Sequence, residues 1–525
     1  MDRPTVHGSR VAQNAAALLG GRVVTGVVGL VTVPALYGML GSRRFGLWAL
    51  LLGLAAIAGL LDFGLGSAQV REVACATGGG DPRRARAVLA LGMVCSAGLA
   101  LVVGLAAALG WPLLAHVFDL SDLAGEGRAA ALLLVASLMV DGLASPWRAA
   151  LEGTQRLRSV AFITVTSAIA GGAGGVALVA AGHGLAGLGW SVLTGSVLRL
   201  SLLFVTARRW ACGMRPSIRA IDRNAVLTAL RYGWRVQLSS GAAVINNDAD
   251  RLVLGAFSST AAVSPFDLGS RLANVLRLAP TYVIIAVFPA AAALHARGDR
   301  AALDRTYVRT TRYLAMFAAV AAAALVASAD PLVVLWLGRR VPMVVATVCL
   351  LAPGYAVNLA SGAASAVTRA EGAPERETRY ALLAAGLNVV LTVPLLVALG
   401  PPGVPLSTTL AYVAATAYFF WHFHRSSGRA FGPVLEAIWK PFAAAGCAAL
   451  VSWIALGRSP IPAERLAAVI AAGSRAGLVV LLSVGMLIAL GFFDAEDRRV
   501  ITRAVARLRI RDAAPTPAHA AKGAS

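Results

Sequence analysis

Apolar residues run along this chain in long, nearly unbroken stretches, not in the alternating pattern of half-buried strands or the broken stripes of surface helices. Fourteen stretches, most of them near the ~20 residues that cross a ~30 Å hydrocarbon core, occupy positions 15–40, 45–70, 87–111, 129–151, 160–181, 185–207, 225–256, 263–294, 307–328, 341–367, 379–399, 403–424, 441–456 and 467–493. No soluble domain fits between them. The pattern predicts an all-α integral membrane protein of about fourteen transmembrane helices. Composition agrees: 58% of residues are hydrophobic and 14% charged, with a mean hydropathy of +0.73, which excludes an ordinary soluble enzyme.

A formal charge of +22 could suggest a nucleic-acid partner. The arginines instead fall in short runs between apolar stretches, where they act as topology signals, so no nucleic-acid partner is expected. Arg71, Arg83, Arg84, Arg86, Arg156, Arg158, Arg208, Arg209, Arg215, Arg219, Arg223, Arg297, Arg300, Arg305, Arg309, Arg369, Arg376, Arg425, Arg429 and Lys440 collect on one side. Arg43, Arg44, Arg128, Arg339, Arg340, Arg458 and Arg465 fall on the other. Because Lys and Arg resist translocation, both termini are expected in the cytoplasm. The polar, basic segment 1–10 precedes an apolar stretch too long for a signal peptide, which predicts a retained first helix. A basic tail, with Arg498, Arg499, Arg503, Arg507, Arg509 and Arg511, is expected against anionic lipid heads. The five cysteines show no C-x-x-C spacing and no nearby His cluster, so neither a disulfide framework nor a metal site is expected.

An internal repeat adds organisation. Leu40-Gly41 matches Leu254-Gly255, Gly80-Asp81 matches Gly298-Asp299, Leu143-Ala144-Ser145 matches Leu359-Ala360-Ser361, and Glu152-Gly153 matches Glu371-Gly372. The offset stays near 216 residues, so two six-helix halves share one orientation, with a site between them. The expected units are an N-terminal lobe (1–224), a C-terminal lobe (225–430), a terminal hairpin (431–497) and the basic tail (498–525).

The stretch holding Leu40-Gly41, Phe45-Gly46-Leu47-Trp48 and Leu61-Asp62-Phe63-Gly64-Leu65 resembles the start of bacterial polysaccharide flippases of the O-antigen type. Arg231-Tyr232-Gly233, Asp250-Arg251-Leu252-Val253-Leu254-Gly255 and Pro289 in the second half agree. Their superfamily also contains lipid II flippases and multidrug antiporters. The resemblance covers about the first 430 residues in pattern. It implies two lobes around a cavity open alternately to either side of a bacterial inner membrane, no enzymatic chemistry and no cofactor. The implied substrate is a polyprenyl-diphosphate oligosaccharide moved from the cytoplasmic to the outer leaflet, with membrane lipids and a polysaccharide polymerase or glycosyltransferases as partners. In the lipid II relatives a cationic cavity is lined chiefly by helices one, two, seven and eight.

Charges inside the apolar stretches converge on those helices: Arg22 in the first, Arg235 in the seventh, Arg271 and Arg277 in the eighth. A charge at mid-bilayer costs ~2.5–3.5 kcal/mol on insertion scales, so each implies a cavity or a partner. Ser270, Asn274, Arg277 and Thr281 follow helical spacing, as do Arg235, Ser239, Asn246 and Asp250. Facing stripes would form a wet, net-positive cleft whose guanidinium forks suit a diphosphate, making Arg22, Arg235, Arg271, Asn274 and Arg277 the candidate substrate-binding set. The plainer reading pairs Asp267 with Arg271 at i, i+4 and lets Arg235 and Arg251 snorkel. Asp62, Asp141 and Asp250 are the candidate ion-coupling carboxylates; Asp62 and Asp141 lack a local partner in sequence.

Asp248-Ala249-Asp250 imitates the D-x-D of glycosyltransferases, but residues two apart on a helix point ~200° apart and cannot chelate one metal. Two rivals to the flippase remain. A membrane glycosyltransferase or polymerase would need a long outer loop or an acidic pair at a helix end. A drug or cation antiporter would keep the fold and change the substrate.

Overall fold

The computed structural model describes residues 8–62, 64–210, 215–457, 464–494 and 497. Every regular element among them is helical. In the first part of the chain these are α1 (Gly8–Gly59), α2 (Leu65–Thr77), α3 (Pro82–Val117), α4 (Ala124–Gly153), α5 (Leu157–Ala180) and α6 (Gly184–Trp210). Then come α7 (Arg223–Phe257), α8 (Thr260–Asn274), α9 (Leu278–Ala296), α10 (Arg300–Ala327), α11 (Ala329–Leu337), α12 (Pro342–Ala360) and α13 (Gly362–Ala370). The last four are α14 (Glu375–Leu399), α15 (Gly403–Ser427), α16 (Gly432–Leu456) and α17 (Arg465–Ala489). A helix satisfies all its backbone groups within its own segment, which is the requirement of a spanning element in lipid. Ten helical stretches among the described residues are long and apolar enough to cross a membrane, which makes this a multi-pass membrane protein. Leu101, Leu105, Leu109 and Leu113 form an exposed stripe along α3, one turn apart. Such a stripe needs a hydrocarbon neighbour.

The first of those ten stretches, 17–59, holds two arms. Gly41 breaks α1 with φ 74° and ψ 175°, a conformation open to glycine and closed to residues with a Cβ. Gly21 lies against Ala161, whereas Thr32 lies against Gly172 further along α5. Gly46 lies against Thr260, whereas Gly64, beyond the second arm, lies against Gly233, well before Thr260 in the chain. The first arm therefore runs with α5 and the second against α7, so the chain reverses at Gly41. Outside the ten, α7 is rich in polar residues, α8 passes into α9 through a 3-10 turn at Val275–Arg277, and α15 is interrupted by hydroxyls.

The helices pack as two groups. α1 to α6 pack on one another, chiefly α4 on α6, α1 on α5 and α3 on α4. In the second group α14 packs on α15, α7 on α14 and α12 on α8 and α15, with α16 and α17 joined to it through α10 and α11. Small residues set the approach, as expected where lipid removes the hydrophobic drive between helices. A Cβ on Gly142 of α4 would stand 2.4 Å from Ser96 of α3, and one on Gly175 of α5 would stand 3.1 Å from the Ser191 hydroxyl of α6. Asp81 caps α3 through the Arg83 amide, and Asp299 caps α10 through the Ala302 amide.

The groups meet along the second arm of α1, which packs on α7 and α8, and this contact ends in two glycine seams, one at each end of the bundle. At the end where the chain reverses, the Ser42 hydroxyl donates to the Ala261 carbonyl at 2.9 Å. A Cβ on Gly46 would stand 1.8 Å from the Thr260 oxygen. At the arginine-rich end, Gln237 donates to the Leu60 carbonyl at 2.6 Å, and a Cβ on Gly64, whose φ is +69°, would stand 2.4 Å from the Gly233 oxygen. Glycine is required at both positions for the backbones to meet.

Candidate functional site

Between the seams, where Gly53 of α1 packs beside Asp248 and Arg251, the groups enclose a chain of four alternating charges. Arg251 binds Asp248 within α7 and reaches Asp267 of α8 at 2.8 Å. Arg271 donates its Nε to the other oxygen of Asp267 at 2.6 Å. Asp267 is fully buried, so it needs both guanidiniums to be ionised in place. Two cations and two anions cancel. Among the described residues, Asp248 and Asp267 thus neutralise Arg251 and Arg271, and the pairing of Arg251 with Asp267 is one that spacing along a single helix does not reveal. Arg271 is the half-exposed end of the chain.

Asp248 and Asp250 point to different neighbours, as the helical period requires. Asp250 is buried on the face towards α14 and α15. It accepts hydrogen bonds from Asn388 Nδ2 at 3.0 Å and Thr408 Oγ1 at 2.6 Å. Thr392 lies 3.4 Å away, but its hydroxyl has a single proton and a 2.6 Å bond to the Asn388 carbonyl. Ser407 completes the cluster, 3.2 Å from Asn388 Oδ1. Asn246, one turn earlier, is buried on the same helix. Of the polar stripe read from α7, Asn246 and Asp250 are thus buried, Asp250 against the second helix group.

Arg277 also turns into the second group. It donates to the Tyr412 hydroxyl at 2.8 Å and stacks over the Tyr355 ring at 3.9 Å, an electrostatic pairing of guanidinium with π-face. It sits at the 3-10 turn between α8 and α9 and ties that break to α12 and α15. Asn274 bonds back to the Ser270 carbonyl at 2.9 Å. Arg22 is exposed on the first arm of α1. The side chains of Arg235, Ser239 and Thr281 lie outside the described residues, as do Cys212, Arg458 and the arginines of the tail.

The first group holds a different site, a polar cavity of ≈ 530 Å³ in the arginine-rich half, lined by α2, α4, α5 and α6 together with Asp62 and Gln237. It contains both remaining coupling candidates. Asp62 accepts the Gly66 amide at 3.3 Å. Asp141 is held by Arg199 of α6, which places Nη2 2.6 Å and 2.7 Å from the two carboxylate oxygens and bonds Ser196 at 3.0 Å. Arg148 and Glu152 form a second pair at 2.7 Å. The wall is braced from behind, where Ser145 donates to Gln69 and Gln69 donates to the Leu89 carbonyl at 3.2 Å.

The model of a family described as "Polysaccharide biosynthesis protein" matches residues 36–345. The chain belongs to that family. Over 489 residues it is 24% identical to the protein named "Probable flippase AglR" of Haloferax volcanii, covering 90% of this chain and 96% of that one. Its fold resembles the lipid II flippase MurJ in an inward closed conformation, with a TM-score of 0.70 and 13% identity over 90% of this chain and 99% of MurJ. It also resembles an inward-facing multidrug resistance MATE transporter of the MOP superfamily, with a TM-score of 0.57 and 16% identity over 78% and 94% of the two chains. A transporter of the same superfamily from Pyrococcus furiosus, described as having a reversed binding-pocket polarity, scores 0.55 at 15% identity over 79% and 95%.

Sequence reasoning passed over Arg199, Gln237, Asn388 and Thr408. Arg199 was the findable one, as a lone guanidinium inside the apolar stretch 185–207, and the cost of a charge in lipid was the signal. The same holds for Arg475, buried in α17, which donates to the Leu456 carbonyl at the end of α16 at 2.8 Å.

Proposed function

We propose that the protein moves a polyprenyl-diphosphate-linked oligosaccharide from the cytoplasmic to the outer leaflet of a bacterial inner membrane, by alternating access. The observation that carries this reading is the pair of glycine seams at opposite ends of the bundle with polar groups between them. Two such seams are what a carrier needs if it opens one end while the other stays shut. Family membership and the flippase named in Haloferax volcanii support it.

On this reading the chain crosses the membrane fourteen times, both termini lie in the cytoplasm, and the lobes are 1–224 and 225–430, followed by the hairpin 431–497 and the tail 498–525. The reversal at Gly41 makes two crossings of α1; α7, α8 to α9, and α15 supply the others beyond the ten apolar stretches. An apolar groove of ≈ 670 Å³ between α1, α8 and α11, lined by Leu30, Pro34, Leu272 and Trp336, suits the polyprenyl chain. Arg22, Arg235 and Arg271, with Asn274, receive the diphosphate, and Arg277 positions the break that presents α8. Asp250 couples an ion to lobe movement, with Asp62 and Asp141 as further carboxylates for that role. Membrane lipids surround the protein, and a polymerase or glycosyltransferases take the product onward.

A second reading, export of an organic cation, draws on one observation: the cavity that contains Asp62 holds three carboxylates and two guanidiniums. Deleting the gene and extracting polyprenyl-diphosphate sugars separates the two. A complete oligosaccharide unit accumulating on the cytoplasmic face, relieved by wild-type protein, supports lipid flipping. Incomplete units would place the protein upstream, and an unchanged lipid pool with altered tolerance of organic cations would favour the antiporter.

A further inference from the structure

The cavity of the first helix group is a poor place for a diphosphate. Arg199 grips both oxygens of Asp141 and Arg148 is paired with Glu152. Asp62, in contrast, accepts only a backbone amide among the described residues. The lining is therefore formally one negative charge in excess, and an anion entering it meets repulsion. The diphosphate belongs elsewhere in the molecule.

The same lining fits a sugar. Carboxylates accept from hydroxyls, and the outward N–H groups of the paired guanidiniums donate to hydroxyl oxygens. These charge-assisted bonds are stronger than neutral ones. Ser67, Thr164 and Gln237 add neutral donors and acceptors, while Val70, Val160 and Leu203 offer apolar surface to the C–H faces of a ring. At ≈ 530 Å³ the space lies in the ~300–1,000 Å³ range of small-molecule sites. Gln237 belongs to α7 and donates to Leu60 at the inter-group seam, so an occupant of the cavity is touched by a residue that must move when the seam opens.

We propose that this cavity receives the saccharide part of the substrate and selects neutral or amino sugars over acidic ones. This rests on the reading of the protein as a carrier of lipid-linked oligosaccharide. Selection arises from repulsion of the wrong substrate as much as from attraction of the right one.

The test uses the full-length protein in proteoliposomes with two probes, polyprenyl-diphosphate N-acetylglucosamine and the same lipid carrying glucuronic acid. Oxidation by periodate outside the vesicles reports the sugar that has crossed. Wild type should move the neutral probe at least about 5-fold faster than the acidic one. Asp62→Asn combined with Glu152→Gln turns the excess from one negative to one positive charge and should bring that ratio to about one or below. Ser67→Asp, a change at an exposed wall position that decides the matter even if the double variant does not fold, should widen the ratio. Equal movement of both probes by wild type, or a ratio that neither variant shifts, overturns the saccharide site while leaving the flippase reading standing. Movement of neither probe by wild type removes the lipid-linked substrate and the saccharide site together.

Discussion

Asp250 and Arg277 of the second helix group are disposed of in the opposite way to Asp141 and Arg199 of the first. In the second, Asp250 and Arg277 are turned inward and met by neutral partners: an amide and a hydroxyl for the carboxylate, two tyrosines for the guanidinium. In the first, Asp141 and Arg199 find each other at the wall of a cavity, where both stay about one-third exposed. A charge satisfied in a dry interior rigidifies what surrounds it, because any displacement leaves a polar group unpaired. A charge pair facing open space keeps spare hydrogen-bonding capacity. The first arrangement favours a fixed shape, and the second leaves donors and acceptors free for a guest.

That contrast can be broken most severely at Asp250. Asp250→Ala strands the Asn388 amide and the Thr408 hydroxyl in a site without solvent, each worth ~1–3 kcal/mol. The detergent-solubilised protein should unfold at a clearly lower temperature and transport should fall to background. An unfolding midpoint equal to wild type would show that water reaches the network. Gly46→Ala comes next. Its Cβ would meet the Thr260 oxygen at 1.8 Å, so the seam cannot close as seen, and transport should drop by about tenfold or more, since overpacking costs ~1–3 kcal/mol. A cysteine pair at Ser42 and Ala261 should cross-link more slowly in that variant.

A paired measurement sharpens the comparison. Arg277→Gln removes a buried cation–π contact of ~2 kcal/mol and should lower thermal stability in proportion. Arg199→Gln, at a half-open pair worth ~0–1 kcal/mol, should leave the unfolding midpoint nearly unchanged while reducing transport. Equal stability losses at the two sites would abolish the distinction between the groups. The smallest effect is expected at the surface pair Arg44 and Glu126, 2.8 Å apart and both well exposed. Arg44→Ala should shift stability by less than ~1 kcal/mol.

The helices were legible because hydrocarbon demands long apolar runs, and Gly41 marked the first reversal. The breaks were less so: 263–294 reads as one run, yet α8 gives way to α9 at Val275–Arg277 without a glycine or proline in the turn. Pairings within a helix could be read, as Asp267 with Arg271 was. Pairings between helices could not. Asp141 appeared partnerless because Arg199 stands 58 positions away, and Arg251 reaches Asp267 across two helices. A helical wheel shows which residues share a face but not what that face meets. That is why the sequence does not show the two tyrosines that meet Arg277, and why the cavity beside Asp62 had no sequence signature.

The chain beyond α17 turns back onto α10. Phe492 lies under the Arg312 guanidinium at 4.4 Å, Asp494 meets Arg312 at 2.9 Å, and the buried carboxylate of Asp497 gathers Arg309, Arg312 and the Tyr313 hydroxyl. The last described residue is therefore bolted to a helix of the second group. A dye attached at the exposed Leu490, beside that anchor, would ride with that group, and a second dye on the loop between α3 and α4 would ride with the other. The distance between the dyes would then follow the opening and closing of single molecules in real time, with no label inside either seam.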